Sequence, residues 1–212
     1  MDVRVVDDVA GEALGIFLEA APRTILLSGG STPRDLYVRL GQTDYPWEQV
    51  EFFFGDERCV PPDDDRSNAR MVDEALLSKL PARSFPMDGA RCDAEAYERT
   101  LRDRFGTELG FDLAIYGLGP DGHTASLFPG RPEVVVTDRW VVRVPQAGME
   151  PFVPRLTLTV PALSAAGLGV YLVAGEDKRV ALRRLLAGDD IPSAKVKPER
   201  LVVVADVAAH GD

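Results

Sequence analysis

The chain is poor in the residues that carry most metal and redox chemistry. It has two cysteines and two histidines in 212 residues. Cys59 and Cys92 stand in no C-x-x-C pair and offer no zinc spacing, so no metal site is expected. The N-terminus, Met1 to Asp8, is too acidic and too poor in apolar residues for a signal peptide. The expected location is therefore the cytoplasm, with both thiols reduced. No window approaches ~18 consecutive apolar residues, which argues against a membrane-spanning helix. No Lys/Arg-rich run exists either, and 24 basic against 34 acidic residues leave a net charge of −10. Such a field repels nucleic acid and anionic membranes, and it opposes a small anionic substrate too. A phosphate site here must concentrate a few Arg, Lys and backbone N–H groups in one cleft. Nothing in the sequence sets an oligomeric state.

What is present is ordinary globular composition, 45% hydrophobic and 27% charged, enough for a full core. There is no repeat, low-complexity tract or dividing linker, so residues 1–212 are read as one domain. Apolar, β-branched runs predict strands at Val3–Val6, Thr24–Leu27, Val50–Phe54, Leu113–Tyr116, Trp140–Val144, Arg155–Leu158, Val170–Val173 and Leu201–Val204. Helical spacing places Val9, Ala13, Ile16, Phe17 and Ala20 on one helix after the cap Asp8. Ala94, Tyr97, Leu101 and Phe105 form another between Asp93 and Gly106. Val72 to Leu76 and Glu176 to Ala187 make two more, closed by Pro81 and Gly188. Strands alternating with helices predict an α/β fold, a mainly parallel open sheet with helices on both faces, Rossmann-like. Asp63-Asp64-Asp65 reads as a solvated loop, and His210 falls in a tail expected to fray.

Four polar or glycine-rich motifs each follow directly on a predicted strand. They are Ser28-Gly29-Gly30-Ser31-Thr32-Pro33, Gly55-Asp56-Glu57-Arg58, Gly117 to Thr124 (GLGPDGHT) and Gly175-Glu176-Asp177-Lys178. The C-terminal ends of parallel strands share one edge, and ligands bind in the crevice there. In the first motif, unshielded amides at Gly29 and Gly30, with the Ser31 and Thr32 hydroxyls, suit an anion at a helix N-terminus. It lacks the spacing of a Walker A loop. Gly117, Gly119 and Gly122 spell G-x-G-x-x-G, but Asp121 would place a carboxylate where a pyrophosphate must approach, and the motif lies mid-chain. A nicotinamide cofactor is not expected. His123 lies in that polar loop with Asp121 two residues earlier to orient its ring. No G-x-S-x-G elbow or catalytic cysteine motif accompanies it, so the chemistry points to attack by histidine-activated water.

Together these blocks resemble the 6-phosphogluconolactonase family, within the superfamily that includes glucosamine-6-phosphate deaminase and ribose-5-phosphate isomerase. The resemblance runs from about Ser28 to Lys178 and includes Ser67-Asn68, the run Gly117 to Gly130, and Arg155-Leu156-Thr157-Leu158-Thr159. It implies hydrolysis of 6-phospho-D-glucono-1,5-lactone in the oxidative pentose phosphate route, with a sugar phosphate as the partner and no cofactor. His123 becomes the base. Ser28, Gly29, Gly30, Ser31, Thr32, Arg58, Arg155 and Lys178 hold the 6-phosphate or carry its counter-charge. Asp56 and Glu57 contact sugar hydroxyls or fix Arg58. The sequence departs from the family between Pro145 and Pro154, where relatives often carry a Lys-Pro-Pro-Pro-like stretch and this chain reads Gln146 to Pro154 (QAGMEPFVP). Two other readings remain. An amino-sugar-phosphate deaminase or isomerase would resemble Asp-Gly-His-Ile-Ala-Phe with an Asn-Glu pair, unlike Thr124-Ala125-Ser126-Leu127-Phe128-Pro129 here. A non-catalytic sugar-phosphate sensor would be expected to bring an added DNA-binding or partner segment.

Overall fold

Carboxylates fix two of the helix starts expected from the sequence. Helix α1 (Val9–Ala20) begins where the Asp8 side chain accepts the N–H of Gly11, and α4 (Ala94–Phe105) where Asp93 accepts that of Ala96. Each buries its apolar stripe, with Ala13, Ile16 and Phe17 on α1 and Tyr97 and Leu101 on α4 in the core. The computed structural model describes residues 1–211.

The main sheet has the strand order β1 (Asp2–Val5), β10 (Arg200–Ala205), β9 (Ala166–Val173), β6 (Phe111–Gly117), β2 (Thr24–Leu27), β3 (Glu51–Phe54) and β5 (Arg83–Phe85). Every neighbouring pair is parallel. The inner strands are buried on both faces, which is why they read as apolar runs rather than as alternation. From β2 the chain winds outward through β3 and β5, then returns to the other side of β2 as β6 and continues to β9 and β10. The direction of winding therefore switches between β2 and β6, the position at which open α/β sheets bind ligands. No helix among the described residues is long and apolar enough to cross a membrane.

A second sheet departs from a wholly parallel arrangement. It is antiparallel, in the order β4 (Asp56–Arg58), β8 (Arg155–Leu158), β7 (Val141–Val144). Gly55 joins the sheets: its N–H donates to the Leu27 carbonyl at 2.9 Å, and its carbonyl accepts the Leu158 N–H at 2.8 Å. Val141, Leu156 and Leu158 belong to the same apolar cluster as the main sheet. The sequence gives no strand signal for Asp56–Arg58, because three polar residues show no apolar alternation. The edge strand Arg83–Phe85 is too short, at three residues, to show a period. The tail does not fray at His210, since α8 (Val207–His210) is capped by Asp206 and Ala209 is fully buried. The segment after Gly175 is a 3-10 turn at Glu176–Lys178 leading into α6 (Arg179–Ala187).

Alternation along β4 sends Asp56 and Arg58 to one side and Glu57 to the other. Glu57 Oε1 accepts the N–H groups of Arg58 and Asn68, both at 2.7 Å, and Oε2 accepts that of Ala69 at 2.7 Å and the Ser67 hydroxyl at 3.1 Å. A buried carboxylate thus closes the N-terminus of α3 (Asn68–Ala75). Burial pushes its pKa up, against the pull of the Ala69, Asn68 and Arg58 amides. Cys59, at the end of β4, is bonded to Cys92 across 33 residues of chain, with the two Cα atoms 5.2 Å apart. This overturns the expectation of free thiols. Packing of the 86–92 segment on β4 brings the cysteines together, and sequence spacing carries no trace of that.

Glu57→Ala leaves several buried donors without a partner and is expected to cost about 3 kcal/mol or more of stability in urea unfolding. Reduction of the disulfide, or Cys92→Ser, removes a covalent loop of this length. It is expected to cost roughly 3–4 kcal/mol, read as a lower urea midpoint with a dithiol present than without.

Candidate active site

The two glycine-rich loops meet at the switch between β2 and β6. After β2, Ser28 is held at both backbone atoms by one buried side chain: its N–H donates to Tyr37 Oη at 3.0 Å, and Tyr37 Oη donates to its carbonyl at 2.8 Å. Gly30 then takes φ = 109°, a conformation costly for any residue with a Cβ, and opens α2 (Ser31–Leu40). No side chain caps this helix. Its first-turn amides and the Ser31 and Thr32 hydroxyls border the cleft, with a favourable dipole for an anion. The Ser28 hydroxyl is buried and has no hydrogen-bond partner among the described residues.

The loop after β6 presents the imidazole. Asp121 Oδ1 accepts the His123 backbone N–H at 3.0 Å and lies 2.6 Å from His123 Nδ1. Asp121 feels burial, which raises its pKa, but the hydrogen bonds and charge of His123 outweigh it and hold the carboxyl below its usual value. Nδ1 therefore carries the proton toward Asp121, and Nε2 is the nitrogen left for other chemistry. The ring packs at 4.8 Å from the Phe128 ring and lies directly over Gly119. A Cβ at Gly119 would stand 2.0 Å from His123 Nδ1, so only glycine admits the imidazole in this place. Ala125 follows in the left-handed region at φ = 49°, between the buried Thr124 and Ser126. Such strain recurs where a backbone is held for function.

The third wall comes from the antiparallel sheet. Its register sets Arg58 directly opposite Arg155, an arrangement of like charges that repel unless an anion intervenes. Burial lowers the Arg155 pKa and Arg58 lowers it further, while Asp56 and Glu57 oppose them. Arg155 is 3% exposed; its Nη2 donates to the carbonyls of Met149 and Pro151 at 3.2 and 3.1 Å, and its Nη1 reaches Ser126 Oγ at 3.5 Å. Asp56 accepts from the Ser126 hydroxyl at 2.5 Å and from Asn68 Nδ2 at 3.2 Å. Lys178 enters from the turn after β9, with Asp177 Oδ2 3.1 Å from its Nζ.

These groups line an open cleft of about 260 Å³, room for a small polar molecule. Of the residues singled out in the sequence, Ser28 to Thr32, Asp56, Arg58, His123, Arg155 and Lys178 line it. Asp121 stands behind His123, and Glu57 is turned away beneath α3. Asn68, Met149 and Glu150 line the cleft without having been singled out, and Ser126 supports it from behind. Asn68 had a signal in the Ser67-Asn68 pair; Met149 and Glu150 lie where the sequence departs from the family. A larger hollow of about 630 Å³ between α4 and β7 shares no residue with this cleft and holds no histidine or glycine loop. No group of three or more His, Cys, Asp or Glu side chains that could hold a metal ion occurs among the described residues.

A family model for glucosamine-6-phosphate isomerases/6-phosphogluconolactonase matches residues 4–205. The chain is 42% identical over 185 residues to the 6-phosphogluconolactonase of Synechocystis sp., which covers 82% of this chain and 75% of that protein. The corresponding protein of Nostoc sp. is 36% identical over 205 residues, 89% of this chain and 84% of its own. The crystal structure of 6-phosphogluconolactonase from Thermotoga maritima superposes with a TM-score of 0.89 at 30% identity, covering 97% of this chain and 99% of that one. Likeness of this extent in sequence and in fold spans both sheets and every wall of the cleft: the chain belongs to the glucosamine-6-phosphate isomerase/6-phosphogluconolactonase family.

Proposed function

We propose that the chain hydrolyses 6-phospho-D-glucono-1,5-lactone to 6-phospho-D-gluconate, with His123 activating the attacking water. The observation that carries this reading is the Asp121–His123 pair facing a cleft that also holds Lys178 and the uncapped N-terminus of α2. A base and an anion anchor lining one cleft suit a substrate with a reactive carbonyl at one end and a phosphate at the other. The relatives at 36–42% identity are 6-phosphogluconolactonases and support the same substrate. The shared apolar core of the two sheets supports reading the chain as one catalytic unit.

In this mechanism His123 Nε2 takes a proton from water as the oxygen attacks C1. Backbone N–H groups of the glycine-rich loops stabilise the oxyanion that forms. Collapse breaks the bond from C1 to the ring oxygen, and His123 returns its proton to that oxygen. The product carries a new carboxylate, and one proton is released to solvent. Asp121 fixes the tautomer and orientation of the ring and stabilises the imidazolium. The Ser28–Thr32 loop and Lys178 bind the phosphate, with Arg58 and Arg155 supplying counter-charge. The Asp56 carboxylate orders Asn68 beside the substrate and Ser126 behind the cleft wall.

Purified protein is expected to accelerate hydrolysis of freshly made lactone above its spontaneous rate. His123→Ala is expected to lower kcat by about 10²- to 10⁴-fold with an unchanged circular-dichroism spectrum and melting temperature. Undiminished turnover in that variant would sink the mechanism. Lys178→Ala is expected to raise KM by roughly 10-fold or more, the loss of one charge-assisted hydrogen bond, with a smaller effect on kcat.

A further inference from the structure

The cleft contains a carboxylate that the mechanism does not use. Glu150 lines it from the segment between β7 and β8, and it is exposed at the mouth. It makes no ion pair or side-chain hydrogen bond with any described residue; Lys178 is engaged by Asp177, and Arg155 by backbone carbonyls. The backbone that carries it is nonetheless held on both sides. Arg155 Nη2 holds the carbonyls of Met149 and Pro151, the residues on either side of Glu150. The N–H of Cys59 holds the carbonyl of Pro154 at 2.8 Å, which pins the far end of the same segment to β4.

The charge balance gives this placement a meaning. The lining side chains include three cations, Arg58, Arg155 and Lys178, against two carboxylates, Asp56 and Glu150. Asp56 is buried and spent on Ser126 and Asn68, so Glu150 is the carboxylate whose charge faces the solvent-filled mouth. Neutralising it doubles the net formal charge of the lining. Hydrolysis of the lactone adds one negative charge, because the ester carbon becomes a carboxylate while the phosphate is unchanged. Like-charge repulsion from a carboxylate tethered at the cleft therefore acts more strongly on the product than on the substrate, over distances within a Debye length of ~8–10 Å.

We propose that Glu150 is a specificity-determining residue that weakens retention of the more anionic product at the cleft mouth. The inference rests on the lactonase reading above. With Glu150 neutral, the cleft holds both ligands more tightly, and the product gains more than the substrate.

The test compares wild type, Glu150→Gln and Glu150→Lys. Titration calorimetry measures 6-phosphogluconate binding without turnover, and steady-state assays give KM for the lactone and Ki for the product. Glu150→Gln is expected to lower the product Kd and Ki by about 3- to 10-fold and KM by less, and Glu150→Lys to go further in the same direction. Both differences are expected to shrink at ~0.5 M salt. Unchanged or weaker product binding in Glu150→Gln overturns the proposal; a rise in KM would show instead that the carboxylate accepts substrate hydroxyls. Should Glu150→Gln lose its fold, Glu150→Lys alone carries the test, with tighter product binding supporting the proposal and unchanged or weaker binding overturning it. Wild type that turns over lactone while the variants bind product no more tightly counts against this proposal alone. Wild type that neither hydrolyses lactone nor binds 6-phosphogluconate counts against the lactonase reading as well.

Discussion

The short parallel pairing of β2 with β6 sets where every other part of the cleft stands. β6 runs beside β9 through six register pairs but beside β2 through two, at Ile25 with Leu113 and Leu26 with Ala114. Beyond those pairs no ladder bonds join the two strands, and their chains leave as the two glycine-rich loops. The loops stay close: a Cβ at Gly117 would lie 3.9 Å from the Gly29 carbonyl. A ladder continued for two more residues would close the crevice with backbone. Stopped where it is, it leaves the amides of one loop and the imidazole of the other around a common space.

The second sheet supplies what a parallel sheet cannot. Gly55 turns the chain out of β3 so that consecutive residues of β4 serve opposite sides, with Asp56 and Arg58 toward the cleft and Glu57 toward α3. One three-residue strand thereby lines the site and anchors the helix that carries Asn68. Both roles need polar side chains, which explains why this stretch resembles a loop when read along the sequence. The disulfide at its end closes a covalent ring that includes α3 and β5.

What the sequence made legible was local or periodic. Asp8 and Asp93 act through hydrogen bonds to residues three positions away, so their helices start where expected. The strand-end motifs gathered because parallel topology gathers them. The family was recognisable because the Gly117–Gly130 run is long and specific. What was not legible depended on pairings between distant segments. The side on which Glu57 falls follows from a register with Leu156, and Cys59 meets Cys92 only after the 86–92 segment packs on β4. Arg155 read as a phosphate ligand; the fold also commits its guanidinium to the carbonyls flanking Glu150, a bond that no spacing rule encodes.

Arg58 and Arg155 are register partners across β4 and β8 and both line the cleft, so two of its positive charges are built into a strand pairing. Any anion that the folded cleft binds and the unfolded chain does not stabilises the chain by linkage, by ~2.7 kcal/mol at a hundredfold excess over its Kd. On the lactonase reading proposed above, inorganic phosphate or sulfate plays two parts, as a stabiliser of the native state and as a competitor of the substrate. On the same reading, a melting temperature recorded in phosphate buffer describes the occupied protein, and one recorded in an amine buffer describes the empty one.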